Sequence, residues 1–183
     1  MKISKKLLSV CLMLAVVFSG VSLLNVSAQN TAMTNQQINR ILGNCTSAKN
    51  TLNQLHASDA LLRVNMGQIY ESISTKLMGR FNDRVSNNNF ENGSLIFVFN
   101  NYNSTLDTFR LDYKTYEEHL SSAISIDCQK KPVSFYDAIS MARFERDRVH
   151  DDIVKLNKYI DQYRSAVNQL ERDYLNVTDG VTR

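Results

Sequence analysis

The chain has 183 residues, 43% apolar and 21% charged, which is ordinary for a single globular domain able to bury a core. One proline and six glycines offer too few chain reversals for a turn-rich β sandwich, so an all-α fold is expected. The formal net charge of +3 equals the three lysines of the first six residues, so the rest of the chain is neutral overall and argues against nucleic acid as a partner.

Residues 1–28 read as an export signal. Lys2, Lys5 and Lys6 form a positive head, Leu7 to Leu24 is nearly all apolar, and Val26-Ser27-Ala28 supplies the small residues of a cleavage site. The alternative is an uncleaved anchor over residues 7–26, about twenty residues and therefore long enough to cross a bilayer. Cys11 sits inside the apolar run behind Val10, which does not suit lipid attachment. An exported chain then retains Cys45 and Cys128, an even pair expected to form one disulfide, with two free buried thiols as the alternative. Two cysteines without nearby histidine do not make a structural zinc site.

Residues 29–34 read as a spacer, and a first helix should start between Thr34 and Gln37 with Thr34 or Asn35 as cap. From Ile38 through Cys45, Leu52, Leu55, Leu62, Met66, Ile69 and Ile73, apolar residues recur at three- and four-residue steps, the period of a helix seam. Asp59 is the one carboxylate on that ladder. Beyond Ile73 the steps lengthen to Leu77, Phe81 and Val85, which predicts a local change of winding, with Gly79 the place for a bend. The run Asn87 to Gly93 is a turn. A second helix is expected over about Ser94–Ile126, on a ladder from Leu95 through Tyr102, Phe109 and Tyr116 to Ala123. Pro132 marks the next reversal. Ser134 with Asp137 suggests a capping box opening a third helix, whose ladder runs from Phe135 through Ala142, Arg146, Val149 and Leu156 to Tyr174. Residues 176–183 should fray.

Three long helices with short loops predict an elongated, antiparallel, coiled-coil-like three-helix bundle over residues 35–175. Pairing Cys45 with Cys128 sets position 45 + k of the first helix opposite 128 − k of the second. Helices one and three run parallel, and placing Ser134 near the level of residues 46–48 brings Asp59 level with Arg146, the one basic residue on the third ladder. The two should pair in a buried polar layer that Tyr113 and Lys114, at the same height, complete. Such a layer acts first as a register device.

His56 and His119 fall near one another with Glu117 and Glu118 close by, but at no metal-ligand spacing, so neither metal nor cofactor is assigned. No phosphate loop, nucleophile elbow, His-Glu-x-x-His or Cys-x-x-Cys occurs, and no catalytic residue is assigned. The run Arg143 to Asp152 alternates in sign and, Arg146 apart, reads as a solvated face with pairs Arg143/Asp147 and Arg148/Asp152. Val64, Leu111 and Phe144 are apolar at outward positions on three different helices. Asn44, Asn92, Asn103 and Asn176 open glycosylation sequons.

Two stretches, Asp59 to Asn65 continuing through Ser72 to Met78, and Ser134 to Ile139 continuing through Val149 to Asp152, resemble secreted helical proteins of candidate-phylum bacteria of the Saccharibacteria type. The resemblance implies an exported bacterial protein and carries no site residue with it.

The leading expectation is a non-enzymatic exported envelope or surface bundle that acts through its long faces as spacer, adhesin or interaction module. Its partner would be a protein, a cell surface or a second copy of the chain. The runner-up is an extracytoplasmic bundle that binds a small ligand or a metal. A cavity of several hundred Å³ beside convergent polar groups separates the two, since a spacer should be packed throughout.

Overall fold

The computed structural model describes residues 32–181, with side-chain surroundings through Asn176. The expected signal or anchor, residues 1–28, and the first residues of the spacer lie outside the described residues. Within them the protein is all-α, three rods in antiparallel order. The first rod is α1 (Asn35–Ser72), a π-helical stretch (Ile73–Gly79) and α2 (Arg80–Asn87) in unbroken succession; the second is α3 (Gly93–Ser125) and the third α4 (Pro132–Val181). Among the described residues no helix is long and apolar enough to cross a membrane.

The helix ends follow local chemistry. Thr34 caps α1 through a reciprocal capping box with Gln37. At the far end Asn89 adopts a positive φ of 57°, which asparagine tolerates better than most residues, and this turns the chain into α3. The second reversal is an Asx turn: Asp127 Oδ1 accepts from the backbone N–H groups of Gln129 and Lys130. The third rod begins at Pro132, two residues before the expected cap at Ser134. Proline suits the first helical position because its missing N–H would have no partner there. At the other end α4 continues to Val181, past the end expected at residue 175.

The π-helical stretch is the change of winding that the lengthened steps predicted. More than four residues per turn keeps positions four apart on one face, so the rod buries Tyr70, Ser74, Met78 and Asn82 in succession. This corrects the expected seam by one residue: Leu77 and Ile69 face solvent, and Tyr70 takes the core position. Gly79 closes the stretch, where an added Cβ would lie 3.3 Å from the Ser74 carbonyl oxygen and 3.7 Å from the Phe99 ring.

Register is fixed at the base by the Cys45–Cys128 disulfide, with Cα atoms 5.7 Å apart. Phe135 packs on it, with Ile41 and Ile139 around them. Above that base, Tyr116 meets Asp59, Ser74 meets Asn103, and the Tyr102 hydroxyl reaches the Tyr70 carbonyl, all within about a turn of the antiparallel alignment set by the cysteines. The first and third rods run parallel: Arg146 meets Asp59, and Tyr163 meets Met78 and Asn82, so the offset stays near 85 residues. The main core runs along α3 and α4 from Leu120 to Leu95, including Tyr102, Leu106, Phe109 and Leu156.

Candidate ligand-binding site

Asp59 is buried on α1 and directed into the bundle. Its Oδ2 accepts a 2.6 Å hydrogen bond from the Tyr116 hydroxyl on α3 and lies 3.8 Å from Arg146 Nε on α4. The Asp59–Arg146 pair is therefore present at the height expected for it. The rest of the expected layer differs. Lys114 points outward to Glu118, 3.8 Å away, because its position on α3 is on the solvent side of the ladder. Tyr113 is buried beside Asp59, but the hydroxyl that reaches the carboxylate belongs to Tyr116, three residues on and one turn along the same face. Arg146 is itself 56% exposed, so the layer is a buried carboxylate with a cation at its rim.

Burial, followed by the hydrogen bond and charge of Asp59, pushes the Tyr116 hydroxyl well above the usual tyrosine range. Burial likewise raises Tyr113 to about 12, aided by the charges of Asp59 and Glu117 and opposed by Arg63. Both hydroxyls stay protonated at any physiological pH. Tyr116 is therefore a permanent donor to Asp59.

Between Asp59 and Tyr70, α1 contributes no buried residue, and Leu62 is 57% exposed although it lies on the apolar ladder. The rod stands off from α4 there. The gap is an open, mainly apolar cavity of about 560 Å³, walled by Leu62, Met66, Phe109, Tyr113, Val149 and Ile153, with Asp59 and Arg146 at one end and His150 at the rim. Three rings run through its wall in edge-to-face or tilted contact, Phe109 with Tyr113 and Tyr113 with Tyr116, at centroid distances of 6.3 and 5.8 Å. Arg63 places its guanidinium 5.2 Å from the Tyr113 ring centroid while holding Glu117 at 3.0 Å.

A second buried polar cluster lies between α3 and α4. Arg148 spans Asp112 at 2.8 Å and Glu145 at 3.1 Å, and Lys155 holds Asp152 at 3.2 Å; all three carboxylates are buried. Burial, opposed by Lys155 and reinforced by the neighbouring Asp112, raises the Asp152 pKa. The charged run is thus not a wholly solvated face. The pairs expected four residues apart are replaced by contacts to α3 and by pairs three apart. Interleaved with the ladder through Arg146 runs an equally regular series, Ala142, Glu145, Val149, Asp152, Leu156, in which two acids occupy core steps.

Val64, Leu111 and Phe144 are exposed, as expected. His56 lies 3.4 Å from the Ser121 hydroxyl, and no group of three or more His, Cys, Asp or Glu among the described residues could hold a metal. Asn103, in one of the sequons, accepts a hydrogen bond through Oδ1 from Ser74 in the rod interface. No family model matches the chain, and neither a curated protein nor a solved structure matches it.

Proposed function

We propose that this is an exported, non-enzymatic binding protein that holds a small amphipathic molecule in the cavity between the first and third rods. The cavity itself carries the reading. A bundle that served only as a spacer would close its seam, whereas here the seam opens to several hundred Å³ where a buried carboxylate, a guanidinium and an imidazole converge, the usual make-up of a small-molecule site. The test is equilibrium binding of a solvatochromic apolar probe to the exported protein. Saturable, one-to-one binding with a blue-shifted emission is expected, lost when Met66→Trp fills the cavity and when Leu62→Arg charges its mouth. Absence of saturable binding, or binding unaffected by both substitutions, overturns the proposal.

A second reading, docking of a protein or of a second copy of the chain, draws support from the exposed apolar side chains of the first rod. Leu61, Ile69 and Leu77 are exposed there, and Leu62 is exposed at the cavity mouth. Light scattering that gives the mass of one chain at every concentration up to about 0.1 mM, where interfaces of ordinary affinity are occupied, counts against self-association.

A further inference from the structure

We infer that the molecule accepted by this cavity carries a protonated amine, seated on Asp59. The inference rests on the ligand-binding reading. Asp59 brings a buried carboxylate to a mainly apolar wall, and its hydrogen bonding is incomplete: Oδ2 accepts from Tyr116, and Oδ1 accepts from no described residue. The nearest cation, Arg146, stands 3.8 Å away through Nε, too far for a hydrogen bond, on a side chain that is more than half exposed. A buried carboxylate held this loosely gains from any cation that reaches it more closely.

The walls suit the same chemistry. Tyr113 and Tyr116 place π systems near the carboxylate, with Phe109 further along the wall, and ring faces attract ammonium and guanidinium groups. Tyr113 already accepts one cation on its face, Arg63. That arginine is fixed by Glu117, so it does not compete for Asp59. Arg146 is the cation a ligand would displace, and its exposure makes displacement cheap. An anionic ligand would instead place its charge beside Asp59 and Asp147, where the two lining guanidinium groups already face carboxylates, Arg146 that of Asp59 and Arg63 that of Glu117. The apolar body of the amine lies against Leu62, Met66, Val149 and Ile153.

The experiment is calorimetric titration of the exported protein with octylammonium, octanol and octanoate, three probes of equal chain length that differ in the charge of the head. Octylammonium is expected to bind tightest. Asp59→Asn should weaken it about tenfold or more and leave octanol unchanged, because the lost term is the charge pair. Arg146→Gln should strengthen octylammonium by removing the competing guanidinium. Tightest binding of octanoate, with loss of binding in Arg146→Gln, overturns the amine assignment and leaves the ligand-binding reading intact. Failure of all three probes, together with failure of the solvatochromic probe, overturns the ligand-binding reading itself. If Asp59→Asn does not fold by circular dichroism, the ranking of probes on the unaltered protein and the direction of the Arg146→Gln effect still decide the matter.

Discussion

Asp152→Asn should stabilise the protein near neutral pH, by an amount that disappears in acid. Asp152 is 2% exposed, its Oδ2 accepts no hydrogen bond, and Asp112 stands beside it. Burial and that neighbour raise its pKa in the folded state. Below the unfolded carboxyl value, near pH 4, both states hold the proton and the site costs nothing. As pH rises, the unfolded chain ionises first, so folding loses stability until pH passes the raised folded value, and the loss is constant above it. Asparagine keeps the shape, removes the charge and lets Nδ2 donate to the Asp112 carboxylate. A hydrogen bond to a charged acceptor is worth about 1.5–3 kcal/mol. The lost Lys155 pair, with the lysine 59% exposed, is worth at most about 1 kcal/mol. The net gain is about 0.5–3 kcal/mol at pH 7–8, or about 1–12 °C in Tm for a chain of this size. Urea unfolding followed by circular dichroism at half-unit steps from pH 3.5 to 8 measures it. A variant less stable than the parent at pH 7.5, or a difference that does not change with pH, refutes the reasoning.

Reduction of Cys45–Cys128, or Cys45→Ala with Cys128→Ala, should lower unfolding stability by about 4–5 kcal/mol, the chain-entropy value for a crosslink between residues 83 apart, read from denaturant midpoints with and without reductant. Tyr163→Phe should cost about 1–3 kcal/mol, because the Tyr163 hydroxyl serves the Met78 carbonyl of the π-helical stretch at 3.1 Å and the Asn82 side chain at 2.6 Å. Amide exchange should accelerate over Ile73–Asn82 more than over α3. A uniform change along the whole chain would mean that the hydroxyl does not hold this stretch in particular.

The fold was legible because apolar period and turn chemistry agree along most of the chain. On α3 the ladder residues Leu95, Tyr102, Phe109, Tyr116 and Ala123 are all buried, since this central rod has neighbours on both sides and its pattern is strict. The disulfide followed from an even cysteine pair, and the Asp59–Arg146 level from where the third helix starts beside the first. What escaped the sequence was which of two interleaved ladders faces inward on α4: Arg146 and Glu145 are adjacent, and each completes a regular series. The carboxylates won the core positions because α3 supplies Arg148 with Asp112 opposite, a cross-helix arrangement that no single-helix pattern records. Tyr116 escaped as the partner of Asp59 because its hydroxyl lay hidden in what read as an apolar ladder.

The cavity was not legible at all, and the reason lies in how the first rod is attached. That rod is pinned by polar contacts at two heights, Asp59 to Tyr116 and the Tyr70 carbonyl to the Tyr102 hydroxyl. Eleven residues separate the two pins, about three turns, and the residues between them that a strict seam would bury, Leu62 and Ile69, are turned toward solvent. Just beyond the second pin the π-helical stretch changes the winding, which lets Tyr70, Ser74 and Met78 share one face while Ile69 and Leu77 leave it. A sequence ladder records which residues could line a seam. It does not record that a rod held at both ends can bridge a gap, and here that bridge leaves Leu62 and Met66 as the outer wall of a space whose floor is α3 and whose far wall is α4.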